Sequence, residues 1–422
     1  MRNLRFICLS IASLLVLAGC ASHPLMPAPN IYTGTPGYPE TGVPAKLKSN
    51  KVDLLYVTDR DAIVDDSGVL TYGSERSDSV AFGSVLVELG EGIDWQELVH
   101  ASQSQDRSKV LEVKVRSRRV ISRFPPTPHA FSLVDGVPVE DPEVVAERAR
   151  AEALFRRELN RRLADTSTKE VFIYVHGFNN SFDSAASAHA ETWHFLGRRG
   201  VPILYTWPAA HGGLLGYFVD RESGEFTIYH LKQLIRMLVS FPEVERLNII
   251  AHSRGTDITT TALRELVIEA RAVHGSAREH LRIANLVLAA PDLDFGVVRQ
   301  RLVAEKFGPA IGRITIYTTR ADTALKVSES FMSGRRFGRL EVDDLGATDE
   351  AIFAEVPNLS IIEVQDVKGL IGHAYFRGSP AASSDLILVL RGGGRPGDTQ
   401  RPLTHVKSNF WRLPAGYPYK RP

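Results

Sequence analysis

The sequence is most informative at NIIAHSRGT, residues 248–256. The apolar run predicts a strand that ends just before Ser253, and the residues after it predict a helix. A serine at such a sharp strand-to-helix turn holds its hydroxyl clear of the sheet, where it can act as a nucleophile. Strand and helix pass close together there, so small residues are needed two positions away, and they are Ala251 and Gly255. The alternative is that Ser253 only caps the helix, because serine is a favoured N-cap residue.

The surrounding sequence alternates short apolar runs with helical stretches. This pattern predicts an α/β fold with a mostly parallel, twisted sheet and helices on both of its faces. The predicted strands cover residues 54–58, 80–87, 171–175, 203–206, 247–251, 283–289, 314–318 and 359–364. The predicted helices cover residues 143–163, 185–198, 227–239, 256–273 and 297–306.

An oxyanion-binding loop is predicted after the strand VFIYV, residues 171–175. Cleavage of an acyl bond places negative charge on the carbonyl oxygen, and backbone N–H groups held in advance must stabilise it. One such donor is the residue after the nucleophile, which is Arg254. We expect the other to be Phe178, in the loop that His176 and Gly177 shape. A simple turn after a strand is the alternative.

The acid and the base are expected to follow Ser253 in the order acid, then histidine. His373 lies in a glycine-flanked loop a few residues after the last predicted strand, and it is the preferred base. Two carboxylates follow strands at the end where active sites of open α/β sheets lie. Asp322 is the preferred acid, and Asp292 is the alternative.

Several further blocks of sequence accompany these candidates. They are YVTDR at 56–60, TWP at 206–208, AAPD at 289–292, YTTRADTAL at 317–325, GRRFG at 334–338 and GHAYF at 372–376. Together the blocks resemble a bacterial family of α/β-hydrolase-fold proteins of unknown function, similar to lipases and esterases. The resemblance covers residues 50–378 as scattered blocks. It implies the fold and a Ser-Asp-His site, and it implies no substrate.

The composition excludes several classes of protein. The 422 residues are 44% hydrophobic and 23% charged, with Lys+Arg 50 against Asp+Glu 49. Disordered chains combine low hydrophobicity with high net charge, and nucleic-acid binders carry a basic excess; neither fits. The sequence has no His-Glu-x-x-His motif and no cysteine cluster, so we expect no metal and no cofactor.

The two cysteines, Cys8 and Cys20, lie near the start of the chain and allow no disulfide framework in its body. Residues 2–17 combine arginines with an apolar run too short to span about 30 Å of hydrocarbon. The run ends in LAGC, residues 17–20, which resembles the bacterial lipobox, in which the cysteine is acylated. Ala21 after Cys20 is similar to outer-membrane lipoproteins. We therefore expect lipid anchoring in the cell envelope, facing the periplasm from the outer membrane in a Gram-negative source; a plain secretory signal is the alternative.

The predicted organisation has five parts. These are a lipoprotein signal peptide over 1–19, a Pro-rich tether over 20–47, a β-containing extension over 48–140 packed on the core, an α/β-hydrolase core over 141–390 and a Gly/Pro-rich tail over 391–422. The segment 208–225, rich in glycine and aromatic residues, either covers the site as a lid or acyl-binding wall, or packs on the early strands.

These observations predict a membrane-anchored serine hydrolase that cleaves a carboxylic ester or thioester through an acyl-enzyme. Its expected substrate is an acyl ester or a lipid-like molecule. Two alternatives stand beside it: an acyltransferase with the same triad, and a non-catalytic envelope scaffold, because fold does not fix function. The sequence does not determine the oligomeric state.

Overall fold

The computed structural model describes residues 23–365, 367, 372–414 and 416–419. The predicted signal peptide and Cys20 lie outside this part of the chain. The strands are β1 Lys51–Val64, β2 Leu70–Leu89, β3 Val113–Arg123, β4 Phe131–Val134, β5 Val137–Glu140, β6 Glu170–Val175, β7 Val201–Thr206, β8 Arg246–His252, β9 Ile283–Ala289, β10 Arg313–Thr318, β11 Leu359–Glu363, β12 Thr404–Lys407 and β13 Phe410–Arg412.

The helices lie between these strands or after them. They are α1 Trp95–Ala101, α2 Pro142–Ala164, α3 Phe182–Phe195, α4 Gly213–Ser240, α5 Gly255–His274, α6 Ala277–Leu281, α7 Phe295–Val297, α8 Thr323–Phe331, α9 Ala347–Ala354, α10 Tyr375–Gly378 and α11 Pro380–Leu390. Helix α7 continues into a π-helical turn at Val298–Val303. Among the described residues, no helix combines the length and hydropathy needed to cross a bilayer.

The main sheet has 11 strands within the described residues, in the order β12-β13-β11-β10-β9-β8-β6-β7-β1-β2-β3. Strands β13 to β1 in that order are parallel to one another, whereas β12, β2 and β3 are antiparallel to their neighbours. Strand β6 illustrates why both faces are covered: Val171, Ile173 and Val175 enter one hydrophobic cluster, while Phe172 and Tyr174 enter the other.

Helices cover the two faces of the sheet separately. Apolar residues of α2, α4 and α5 pack in the first cluster, and those of α3 and α11 pack in the second. A sheet that buries apolar side chains on both faces is stable only when both faces are covered. The arrangement confirms the predicted α/β-hydrolase fold.

The topology places a crevice beside β6. The chain passes from β6 to β7 on one side and later to β8 on the other, so the winding direction reverses at β6. Ligands of open α/β sheets bind at such reversals, outside the carboxyl ends of the strands. Ser253 follows β8 and Gly177 follows β6, so both lie at this crevice.

The predicted Pro-rich tether is wrong for residues 23–47. Leu25, Met26, Tyr32, Tyr38 and Val43 are buried in this segment. The apolar residues between the prolines pack into the same cluster as α3, so the segment belongs to the folded body. Backbone groups fix its first residues as well, because the hydrogen bonds Leu25 N–Leu111 O and Val113 N–His23 O measure 2.7 and 2.8 Å.

The structure adds detail to two further parts of the predicted organisation. The extension over 48–140 contains β-strands, and its strands β1–β3 continue the main sheet through the parallel pairing of β1 with β7 instead of packing on the core. The tail over 391–422 adds β12 and β13 to the opposite edge. Its buried Arg401 forms two hydrogen bonds of 2.8 Å to Asp385 of α11, and a buried paired charge fixes the tail in place.

Candidate active site

Ser253 occupies the sharp turn between β8 and α5. Its φ is +53°, a left-handed conformation that costs a residue with a side chain about 1 kcal/mol. The turn is held by the Ser253 N–H, which donates to Ala289 O at 3.0 Å. The Ser253 carbonyl accepts from the hydroxyl of Thr256 at 2.6 Å. Such strain persists only where the surroundings fix it, and this residue is the predicted nucleophile.

Two glycines make room for this turn. A Cβ on Gly255 would lie 2.4 Å from His176 O and 2.7 Å from Val175 O. A Cβ on Gly177 would lie 2.6 Å from Ser253 Cβ. The loop after β6 is therefore in contact with the serine, and both positions exclude any larger residue.

Gly255→Ala is expected to lower the free energy of unfolding by about 2 kcal/mol, because the clash is with backbone that cannot rotate away. Gly224→Ala is the matched control: it also lies inside a helix, but its Cβ would meet Ile258 at ordinary distances of 3.4–3.5 Å. Replacing glycine inside a helix without a clash normally stabilises by about 0.5–1 kcal/mol. Urea unfolding of the two variants checks this; equal shifts would contradict it.

His373 is paired with Asp322. The His373 Nδ1–H donates to Asp322 Oδ2 at 2.7 Å, and the carboxylate is fully buried while the ring is 19% exposed. Asp322 follows β10, and its Oδ1 also caps α8 by accepting from the Leu325 N–H at 3.0 Å. A buried carboxylate on Nδ1 leaves the imidazole Nε2 as the nitrogen that can take up a proton.

Asp292 has other partners. Its Oδ2 accepts from the Tyr217 hydroxyl at 2.7 Å, and its Oδ1 accepts from the Ser328 hydroxyl at 2.9 Å. Arg336 lies 3.7 Å from the same oxygen. The alternative acid thus joins α4 to α8, and the structure does not bring it into hydrogen-bond contact with His373.

His252 links Ser253 to His373, because it directly precedes Ser253 in the chain and contacts His373. The His252 and His373 rings are 4.8 Å apart between centroids, and His252 Nε2 donates to the His373 carbonyl at 3.2 Å. Burial and the nearby His373 lower the pKa of His252 well below its ordinary value, so His252 is neutral. Within the described residues no hydrogen bond joins Ser253 Oγ to His373, and such bonds are often long until substrate is present. His252 positions the loop that carries His373, a role that the sequence did not reveal.

The predicted oxyanion donors are free to bind a ligand. Neither the Phe178 N–H nor the Arg254 N–H has a hydrogen-bond partner in the described part of the chain. Next to Phe178, the Asn179 N–H donates to Asp220 Oδ2 at 2.9 Å. The Arg254 side chain pairs with Asp257 at 2.6 Å. Among the described residues, the Phe178 and Arg254 N–H groups therefore remain as unpartnered backbone donors next to Ser253.

His176 and Arg60 hold the oxyanion loop in place through hydrogen bonds to its backbone. His176 Nδ1–H donates to Gly177 O at 2.9 Å, and Nε2 accepts from the Trp207 N–H at 3.1 Å. Burial and the charge of Arg60 lower the pKa of His176 well below its ordinary value, which keeps the ring neutral. The buried Arg60 donates to Asn180 O at 2.6 Å. The sequence marked Arg60 as part of a family block but gave no function for it.

The segment 208–225 forms part of a wall at the site and also contacts the early strands, the two arrangements predicted for it. Tyr217 lies against Phe178, with ring centroids 5.3 Å apart, so the start of α4 forms a wall beside the oxyanion loop. Burial and the charge of Asp292 raise the pKa of Tyr217 to about 12. Farther along α4, Ser223 accepts from Arg76 of β2 at 3.1 Å, which is a contact with the early strands.

Within the described residues, no cluster of His, Cys, Asp and Glu could hold a metal ion. The protein groups gathered at the crevice are a serine, an imidazole with its carboxylate, and two backbone donors. These groups can perform acyl transfer by nucleophilic catalysis.

Comparison with known proteins identifies one family. The model of a family described as alpha/beta hydrolase of unknown function (DUF900) matches residues 151–390, which is more than half of the chain. No curated protein matches. The matched range begins in α2 and ends with α11, and it contains Ser253, Asp322 and His373. The chain belongs to this family of α/β hydrolases of unknown function.

Proposed function

We propose that this protein is a lipid-anchored serine hydrolase that cleaves a carboxylic ester or thioester. The observation that carries the proposal is the 2.7 Å hydrogen bond between His373 and Asp322, at the sheet edge where Ser253 is held in a left-handed turn. Histidine pairs of this kind also occur without catalysis. The strained serine beside two unpartnered N–H groups is what favours a nucleophilic site.

The proposed reaction has two steps, acylation of Ser253 and hydrolysis of the acyl-enzyme, and the same groups act in both. Ser253 Oγ attacks the carbonyl carbon while His373 Nε2 takes its proton, and Asp322 stabilises the imidazolium. The N–H groups of Phe178 and Arg254 stabilise the oxyanion, where the loss of one donor typically costs about 3 kcal/mol. The imidazolium then protonates the leaving alcohol or thiol. Water, deprotonated by His373, cleaves the acyl-enzyme and releases a carboxylic acid and Ser253.

An apolar rim supports a lipid-like acyl substrate. The first turns of α4 expose Leu214, Leu215, Phe218 and Val219, each at least 42% accessible. Tyr217 on the same turns contacts Phe178. An acyl chain bound beside the oxyanion loop would cover apolar surface that is otherwise in water.

The proposed anchor is the acylated Cys20. One acyl chain gives only reversible attachment, and stable attachment requires more than one membrane-binding signal. The net charge of +1 gives the whole protein little attraction to an anionic membrane surface, so the proposal assigns the attachment to lipid. Mass spectrometry of the mature N-terminus tests this directly, and an unmodified Cys20 would contradict it.

A fluorophosphonate probe is expected to label the native protein once, at Ser253, because only an activated serine hydroxyl attacks phosphorus readily. Ser253→Ala should abolish labelling, whereas the exposed Ser240→Ala should not change it. Peptide mapping identifies the labelled site. An unlabelled native protein would argue against the proposal, and adding alcohol acceptors during turnover distinguishes ester hydrolysis from acyl transfer.

A further inference from the structure

The first described residues of the chain are clamped to the folded body. Arg107 donates from Nη1 to Leu25 O at 2.7 Å and from Nη2 to Met26 O at 2.8 Å. The Met26 N–H donates to Glu191 Oε2 at 2.9 Å. Glu191 is fully buried, and the charge of Arg377 contributes to lowering its pKa against the effect of burial. A buried charge that binds backbone and cation together fixes this end of the chain firmly.

The clamped end lies beside the turn that carries His373. His23 Nε2 lies 3.4 Å from Glu191 Oε1 and 3.3 Å from Arg377 Nη1, and Arg377 and Glu191 form an ion pair. Arg377 is four residues after His373. The ring of Phe376 is 4.9 Å from His252, the residue before Ser253. A short series of contacts therefore joins His23 to the proposed active site.

The distance from this clamp to the proposed lipid is limited by covalent geometry. Cys20 precedes His23 by three residues, and an extended chain spans at most about 3.6 Å per residue. The Cys20 backbone therefore cannot lie more than about 11 Å from that of His23. A free tether of the length predicted for residues 20–47 would have allowed several times this distance.

We infer that the N-terminal segment holds the proposed active site against the membrane, so that its substrates are acyl esters embedded in the membrane that carries the protein. This inference rests on the proposed function and on acylation of Cys20. The lipid surface is the occupant indicated, because the chain reaches it within three residues of the clamp formed by Arg107, Glu191 and Arg377. A short link raises the effective concentration of esters in the same membrane and disfavours esters elsewhere.

The test uses the full acylated protein in vesicles of phosphatidylethanolamine and phosphatidylglycerol. The embedded probe is umbelliferyl oleate, and the soluble probe is p-nitrophenyl acetate. A Gly/Ser spacer of about 20 residues, with a reach of about 25 Å, is inserted between Ser22 and His23. The matched control carries the same spacer in the exposed turn at Asp135-Gly136. Both variants keep every residue of the clamp and of the site.

The spacer before His23 is expected to lower the rate on the embedded ester about tenfold, because effective concentration falls steeply with link length. The rate on the soluble ester and the rates of the control should change less than twofold. An unchanged rate on the embedded ester would overturn the inference while leaving the hydrolase intact. A native protein that cleaves neither ester would instead be a failure of the proposed function, and it would remove the basis of the inference too.

Discussion

Asp322→Asn is expected to lower kcat on an activated ester by about 10⁴-fold with little change in the fold. Asparagine has nearly the shape of aspartate, but it has only one acceptor oxygen. With that oxygen on the Leu325 N–H, its NH2 group would face His373 Nδ1 and donate a hydrogen bond to it. The imidazole would be driven toward the tautomer in which Nε2 carries the proton, and that nitrogen could no longer take the proton of Ser253. The loss should therefore appear in kcat more than in KM.

Asparagine is preferred to alanine because Asp322 has two roles. Its Oδ1 caps α8 through the Leu325 N–H at 3.0 Å. Asparagine is as good an N-cap as aspartate, whereas alanine would cost about 1 kcal/mol of stability at the same time. A large fall in kcat with an unchanged unfolding midpoint would thus be a catalytic effect.

Asp292→Asn is the matched control for the acid. Asp292 is buried and is held by Tyr217 and Ser328 at 2.7 and 2.9 Å, so its replacement should cost stability, by about 1–3 kcal/mol. It should lower kcat less than tenfold, since His373 keeps its partner. Steady-state kinetics with p-nitrophenyl butyrate and urea unfolding distinguish the two variants. The opposite order, with Asp292→Asn as the more damaging change in kcat, would make Asp292 the acid.

The sequence could rank these two acids but could not decide between them. Both follow strands of the same parallel sheet, and strand position is all that an apolar pattern reveals. The partner of each carboxylate depends on side chains far away in the sequence: His373 is 51 residues from Asp322, and Tyr217 is 75 residues from Asp292. Long-range contacts of this kind are not encoded in local spacing.

The prediction of a Pro-rich tether at the N-terminus was wrong for a different physical reason. Proline and glycine exclude a helix or a central strand, and from this we predicted an extended tether. They do not exclude burial, and Tyr32 and Tyr38 lie in the core with hydrogen bonds to the backbone of α3. Tyrosines spaced between prolines were the available signal, because a free linker has little need of large aromatic side chains.

The residues that support the site without reacting were the least predictable from the sequence. His252 and His176 stood in the motifs, yet their donors and acceptors come from the loops after β6, β7 and β11. Arg60 donates to the backbone of Gly73, Ala209 and Asn180, which no sequence spacing predicts. The nucleophile turn was easier, because small flanking residues and a strand-to-helix change are local properties.

Mild acid is expected to destabilise the protein steeply, because burial keeps four of the histidines in the described part of the chain neutral. Burial is the first cause for each, and it lowers the pKa of His176, His194 and His252 well below 6.5 and that of His189 to about 3. The unfolded chain takes up these protons near pH 6.5, whereas the folded chain does not. The stabilisation is therefore complete above pH 6.5 and is lost as the pH falls below it, by up to about 1.4 kcal/mol per pH unit for each histidine.

Urea unfolding between about pH 6.5 and pH 5 measures this slope before most carboxylates titrate. His189→Phe should reduce it by about one proton, or about 1.4 kcal/mol per pH unit, because phenylalanine keeps the stacking on Tyr174 and cannot bind a proton. The exposed His100→Gln should leave the slope unchanged. If stability proved flat over this range and His189→Phe left it flat, the buried rings would already be protonated in the folded protein. Neutral His176 and His252 could then no longer support the oxyanion loop and the loop that carries His373.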